Sequence, residues 1–259
     1  MTTTSDDADR MPAELAATAA AGTIPFTVVN HSTVVEDAAV DFYITGQQAQ
    51  VDEDFGPAWR VGGIKFERAA APRGLPGEMV LVIADDSDQA GALGYHETLP
   101  TGTPIGYVFA KTDLHYNLSW TVTASHEVLE MLADPFIMSG ANVSSTSWLA
   151  IEVCDAVEAD AYAYTKRGVL VSAFVLPAWF IRGAKAAAYS FPAGIVKAPM
   201  QLAKGGYIGK WQLGRWTQVV AKMAEGQTAS RSMTMNRMDA HVRHSVRMAT
   251  GPVTLADDE

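Results

Sequence analysis

With 259 residues, of which 48% are hydrophobic and 19% charged, the chain can bury a sizeable core, and its composition excludes an intrinsically disordered protein. Its net charge of −10 argues against nonspecific binding of nucleic acid by the whole molecule. The single cysteine, Cys154, excludes an internal disulfide and fits a reducing compartment.

The N-terminal part of the chain predicts a tail, a strand and a helix. Residues 1–22 are polar around an Ala-rich patch and predict a flexible tail. A strand is predicted over residues 24–29, and a helix within residues 32–52, where apolar residues recur at helical spacing. Ser32 is the predicted N-cap of this helix, and Pro57 is predicted to end the element.

Three further strands are predicted in the middle of the chain, where short apolar or β-branched runs are bounded by turn residues. They cover residues 61–68, 79–83 and 105–110. The last strand leads across a short loop into a helix predicted over residues 117–133, with Asn117 as its cap and Asp134-Pro135 as its end.

The helix over residues 117–133 carries the sequence Ser-His-Glu-Val-Leu-Glu at positions 125–130. Residues four apart on a helix share a face, so His126 and Glu130 point the same way with Glu127 beside them. This is the layout of a His-Glu-x-x-His zinc helix, except that Glu130 replaces the second histidine. Because carboxylates also bind zinc, His126 and Glu130 are candidate ligands and Glu127 is the candidate general base.

A third ligand is expected from the acidic residues at 151–158, which predict a strand that runs into a loop. Catalytic zinc sites use three protein ligands and leave a fourth position for water. Asp155 and Glu152 are both candidates, and the sequence does not decide between them. Asp134 is expected to orient His126 through a hydrogen bond, a common role for carboxylates beside metal ligands.

Alternatives without a metal stay open at this point. The His-Glu pair can lie on the solvent side of an amphipathic helix that buries Val128, Leu129, Met131 and Leu132. Cys154 can bind a metal, but a lone cysteine between apolar neighbours is more often a small buried residue. Tyr162 and Tyr164 are candidates for stabilising an oxyanion, with ordinary packing as the alternative.

The C-terminal part predicts a strand over residues 168–176 and long irregular connections over residues 182–210, which are rich in Gly, Ala and Pro. Beyond them, arginines and methionines alternate around His241 and His244. A flexible or helical tail without a partner is the expected interpretation, and contact of this basic arm with an acidic partner or with nucleic acid is the alternative. The expected organisation is a tail over 1–22, a domain over 23–181 and a loop-rich extension over 182–259.

Several segments together resemble a group of uncharacterised zincin-like proteins, which have a metallopeptidase fold, from phages and bacteria. The segment Ser-His-Glu-Val-Leu-Glu-Met-Leu-Ala-Asp-Pro is the most specific of them. The resemblance covers residues 50–59, 125–135, 152–155, 174–180 and 205–207.

The resemblance and the order of elements imply an α+β, zincin-like fold: a mixed β-sheet with an active-site helix beneath it and one N-terminal packing helix. The expected function is a zinc-dependent peptidase-like hydrolase acting on a peptide. The alternative is a noncatalytic structural or assembly protein of a phage virion that contacts other phage proteins.

The expected location is the bacterial cytoplasm or a phage virion. The N-terminus carries no Sec-type signal, and no apolar run is long enough to cross a membrane.

Overall fold

Five strands from the first half of the chain form one mixed sheet in a computed structural model that describes residues 22–87 and 92–221. The strands are β1 (Ile24–Asn30), β2 (Ile64–Ala69), β3 (Met79–Ala84), β4 (Gly94–Thr98) and β5 (Pro104–Phe109). Their order across the sheet is β2-β1-β3-β5-β4. Four strands run parallel, and β4 pairs antiparallel with β5 at one edge. The prediction from sequence did not include β4.

Among the described residues, four α-helices accompany this sheet. They are α1 (Asp37–Gln50), α2 (Gly56–Trp59), α3 (Ala110–His115) and α4 (Trp120–Ala133). A π-helical turn, Val51–Phe55, joins α1 directly to α2. The prediction that Pro57 ends this element is wrong, because proline is tolerated in a first helical turn. The element ends instead at Arg60, which adopts a left-handed conformation.

Helix α4 packs against β3, β4 and β5 on one side and contacts a short strand, β9 (Val169–Val171), on another. All residues from 122 to 132 are therefore buried. The interpretation of the His-Glu pair as solvent-facing is wrong for this reason. The helix begins after Ser119, and the predicted cap Asn117 lies outside it with a positive φ of 56°.

Two glycines allow α4 to lie this close to the sheet. A Cβ atom at Gly106 of β5 would lie 2.9 Å from Met131 Sδ. At Gly94 of β4 a Cβ atom would lie 2.9 Å from Glu127 Oε1. Since real Cβ atoms do not approach other atoms this closely, a larger residue at either position would force Met131 or Glu127 of α4 to move.

The second half of the chain forms a four-stranded sheet and two short strand pairs. The larger sheet has the order β13-β12-β7-β6, and β8 pairs with β9 as β10 does with β11. The remaining strands are β6 (Gly140–Ser144), β7 (Ser147–Ala150), β8 (Tyr164–Lys166), β10 (Phe174–Val175), β11 (Ser190–Phe191), β12 (Tyr207–Gln212) and β13 (Arg215–Val220). The α+β class with a mixed sheet and few helices, which the sequence predicted, is confirmed.

The boundary predicted at residue 181 does not coincide with a separation in packing. Strand β12 pairs with β7 from within the predicted domain. Tyr189, Val196 and Ile208 belong to the same buried cluster as the residues of α1, α4 and the five-stranded sheet. The described part of the predicted extension is thus part of the main core.

Residues 1–21 and 222–259, which hold most of the predicted tail and the basic arm, lie outside the described residues. Within the described ranges, no helix is both long and apolar enough to cross a membrane.

Replacing Ile208 by Ala should show that the C-terminal segment stabilises the whole fold. Ile208 is buried in the main core, so Ile208→Ala should lower the free energy of unfolding by about 2–5 kcal/mol. Denaturant unfolding followed by circular dichroism measures this change. Ile181→Ala is the control, because Ile181 is largely exposed. An equal, small effect of both variants would contradict the shared core.

Candidate metal centre

Three candidate ligands predicted from the sequence converge in the structure. His126 Nε2 lies 3.1 Å from Glu130 Oε1, one helical turn along α4. The same nitrogen lies 3.2 Å from Asp155 Oδ1, which belongs to a different segment. Two carboxylate oxygens thus approach one imidazole nitrogen, which carries at most one proton to share between them.

The distances from His126 Nε2 to the two carboxylate oxygens are close to those between ligands of one divalent metal ion. Zinc lies about 2.0–2.2 Å from nitrogen and oxygen ligands, so tetrahedral ligand atoms are separated by roughly 3.3–3.6 Å. The two distances from His126 Nε2 are slightly shorter than this separation, so a small outward movement would admit the ion. The donor set of one imidazole and two carboxylates leaves a further coordination position, as a catalytic site requires.

Hydrogen bonds hold the segment that carries Asp155 against α4. Cys154 N donates to Glu130 Oε1 at 3.2 Å, which links the segment to the helix. Val175 N of β10 donates to Val153 O at 2.7 Å. The predicted strand at this place ends earlier, at Ala150, and Asp155 begins a 3₁₀ turn. This turn, rather than a strand, directs Asp155 towards His126.

The other candidate third ligand, Glu152, occupies a different side of the cluster. Its Oε2 lies 4.0 Å from His96 Nε2, and it is buried beside Glu130. Cys154 is also close: a ligand atom each from His126, Glu130 and Cys154 lie within 4.8 Å of one another. Burial raises the pKa of the Cys154 thiol well above its usual range, so without a metal the thiol stays protonated. Asp155 is the candidate whose carboxylate approaches His126 Nε2, at 3.2 Å, whereas Cys154 completes the set whose ligand atoms all lie within 4.8 Å of one another.

Glu127 lies beside the ligands and contacts a residue that the sequence did not indicate. His96, on the edge strand β4, places Nδ1 at 3.1 Å from Glu127 Oε2 and at 3.8 Å from Glu130 Oε2. His96 lies opposite Gly106 in the β4–β5 pair, so its side chain faces α4. The sequence offered one indication of this contact: His96 and Gly94 are two residues apart, so on a strand they share one face.

Asp134 is not placed where the sequence predicted. Its carboxylate accepts hydrogen bonds from the backbone N–H groups of Met138 and Ser139, at 3.2 and 2.7 Å. Among the contacts of the described residues it has no hydrogen bond to His126, from which it is separated by two turns of helix. Asp134 instead holds the turn that follows α4.

The tyrosine nearest the ligands is Tyr207 rather than either of the two candidates. Tyr207 lies close enough to Asp155 to offset a small part of the increase that burial causes in the pKa of that carboxyl. The hydroxyl of Tyr164 donates to Asp54 at 2.9 Å and accepts from Gln50, away from the cluster. Tyr162 lies in a 3₁₀ turn and packs at the edge of the core.

The cluster concentrates ionisable groups where water is almost absent. His96, His126, Glu127, Glu130, Glu152 and Asp155 are each 4% exposed or less. Burial raises the pKa of Glu152 to about 8, that of Asp155 to about 6, and that of Glu130 as well. Burial lowers the pKa of His96, but the bond to Glu127 and the charge of Glu152 outweigh it and raise that pKa to about 9. Without a metal the cluster therefore retains protons at neutral pH.

Comparison of the chain with protein-family models, with curated proteins and with solved structures found no significant match.

Two substitutions should show whether Asp155 or its neighbour Cys154 is the third ligand. Asp155→Asn removes the charge that faces His126, so metal affinity should fall by more than the 10–100-fold typical of partners outside the ligand set. Cys154→Ser should lower affinity by less than Asp155→Asn does, and by no more than the 10–100-fold typical of a side chain outside that set. Equilibrium dialysis with elemental analysis measures both. A larger loss for Cys154→Ser would make the cysteine the ligand.

The stability of the protein should depend on pH and metal together. When folding raises the pKa of a carboxyl group, that group stabilises the folded state at pH values below its pKa in the unfolded chain. This stabilisation is lost as the pH rises through the pKa of the group in the folded state. The metal-free protein should lose stability as the pH rises to about 6 for Asp155 and about 8 for Glu152. A bound cation keeps these carboxylates ionised, so the stabilisation by metal should increase over the same range.

Melting temperatures with a chelator and with added metal, recorded between about pH 4 and about pH 8, test this dependence. Glu152→Gln is the control variant and should show a weaker dependence on pH. A stabilisation by metal that stays constant across this range would contradict the account of the cluster.

Proposed function

We propose that the chain is a metal-dependent, peptidase-like hydrolase whose metal is zinc. The observation that carries this proposal is the convergence of His126, Glu130 and Asp155, from two separate segments, beside a further carboxylate on the same helix. That carboxylate belongs to Glu127, and one of its oxygens lies within 4.8 Å of a ligand oxygen of Glu130.

The architecture supports a zincin-like assignment. A mixed sheet lies against the helix that bears the His-Glu sequence, and the N-terminal helix α1 completes the order of elements expected from the resemblance. His126, Glu127 and Glu130 all belong to α4, the helix that packs against β3, β4 and β5.

The residues of the chain have separate roles in the proposed reaction. When bound, a zinc ion supplies Lewis acidity and acidifies water at the open position. Glu127 takes the proton of the attacking water and passes it to the leaving amine of a peptide substrate. The hydrogen bond from His96 Nδ1 orients the Glu127 carboxylate for this transfer.

The donor set affects both the choice of metal and the rate. A second carboxylate ligand in place of a histidine leaves the metal less positive, so we expect weaker peptidase activity than at a site with two histidines on the helix. Carboxylate-rich sites also suit manganese, so activity should be compared with zinc and with manganese.

A second candidate function is a noncatalytic virion protein that keeps the centre as a structural metal site. The near-complete burial of all the candidate ligands favours it, because structural metal sites are closed to solvent. Under this hypothesis the metal stabilises the fold and the protein assembles with other phage proteins without hydrolysing a peptide.

Replacing Glu127 by Gln should separate the two functions. If Glu127 is the general base, Glu127→Gln should keep the metal held by His126 and lower hydrolysis by about 100-fold or more. His126→Ala should lose that metal. Hydrolysis of casein or a peptide library, measured beside metal content, gives both results.

Glu36→Gln is the matched control, because Glu36 is exposed and far along the chain from the cluster. It should match the parent in metal content and rate. Equal hydrolysis by the parent and by Glu127→Gln would remove the proposed mechanism. A metal-loaded parent without hydrolysis would favour the structural role.

A further inference from the structure

The two oxygens of the Glu130 carboxylate face two different groups of side chains. Oε1 lies 3.1 Å from His126 Nε2, on the side of Asp155. Oε2 lies 3.8 Å from His96 Nδ1, on the side of Glu127. Ligand atoms of His96, Glu127 and Glu130 lie within 4.8 Å of one another, and these three residues come from β4 and α4.

This second group has the composition and spacing of a metal position. It offers one imidazole nitrogen and two carboxylate oxygens, which is the same donor set as the group around His126. The distances of 3.1 and 3.8 Å from His96 Nδ1 to the two carboxylates bracket the separation of roughly 3.3–3.6 Å between tetrahedral zinc ligands. We propose that a second divalent cation binds His96, Glu127 and Glu130, and that Glu130 bridges the two cations.

The charge of the cluster supports two cations. Glu127, Glu130, Glu152 and Asp155 are four buried carboxyl groups. A histidine that binds a metal must be neutral, so His96 and His126 then add no positive charge. Two divalent cations balance four ionised carboxylates, whereas one cation balances only two of them in a region that excludes water. Paired metal ions in proteins lie about 3.5–4 Å apart, a separation that one carboxylate can bridge.

Occupation of the second position changes the part that Glu127 plays. A carboxylate that binds a cation no longer takes a proton from water. This consequence rests on the proposed function, and it makes the second cation an inhibitor. Hydrolysis should be highest when one cation is bound. Binding of the second cation should lower it by about 100-fold or more, because that is the usual effect of losing a positioned base.

Metal titration of the full chain tests the second position without depending on activity. The protein is freed of metal with a chelator and titrated with Mn²⁺, and bound metal is measured by equilibrium dialysis. The parent should bind two equivalents and show the electron paramagnetic resonance spectrum of two coupled Mn²⁺ ions. His96→Ala should bind one equivalent and show an uncoupled spectrum.

Two further variants control the titration. His31→Ala removes an exposed histidine far from the cluster and should bind two equivalents like the parent. His96→Asn keeps a polar side chain of similar size if His96→Ala fails to fold, and it should also bind only one equivalent. The coupled spectrum of the parent protein tests the second position without any variant.

The outcomes distinguish this inference from the proposed function. One equivalent with an uncoupled spectrum in the parent would overturn the second position, and hydrolysis at that stoichiometry would leave the proposed function standing. Two coupled equivalents without hydrolysis at any metal concentration would establish the second position and remove the proposed function. Two equivalents retained in both His96 variants would also overturn the assignment.

Discussion

Four carboxyl groups and two imidazole rings lie on helix α4 or next to it, and each has almost no access to water. The packing of the sheet and of the neighbouring segments against α4 keeps these groups together. Buried charges are costly unless they are paired or bind a cation. Without a metal, retained protons reduce the buried charge, because burial raises the pKa values of Glu152 and Asp155. A divalent cation would compensate the same charges, because the candidate ligands lie close together.

The scaffold around α4 explains how such a cluster stays together. Gly94 and Gly106 allow the helix to lie close to the sheet, since a Cβ atom at either position would lie 2.9 Å or less from a neighbouring atom. On the far side, Ser172 N donates to Ser125 Oγ at 2.6 Å, next to His126 in the chain. The segment of Asp155 is tied to β10 and, through Ala203, to the C-terminal part of the chain. A substitution far from the ligands can therefore change their spacing.

The sequence predicted the parts of the centre that depend on local geometry. His126 and Glu130 share a helical face by their spacing alone, and the structure keeps them together. The choice between Asp155 and Glu152 depended on a 3₁₀ turn and on tertiary hydrogen bonds, which no local pattern contains. His96 was missed because β4 is a five-residue edge strand, and its contact with Glu127 spans 31 positions of the chain. Asp134 was assigned to the wrong partner because a carboxylate after a helix bonds more readily to the turn that follows.

We expect a cation to bind between His126, Glu130 and Asp155. Anomalous-difference crystallography at the absorption edge of zinc, on crystals grown with the metal, locates such an ion. A bound zinc ion should give a peak about 2.0–2.2 Å from His126 Nε2, Glu130 Oε1 and Asp155 Oδ1. Crystals that show the three side chains in the present arrangement, with zinc in the solution and no anomalous peak between them, would contradict it.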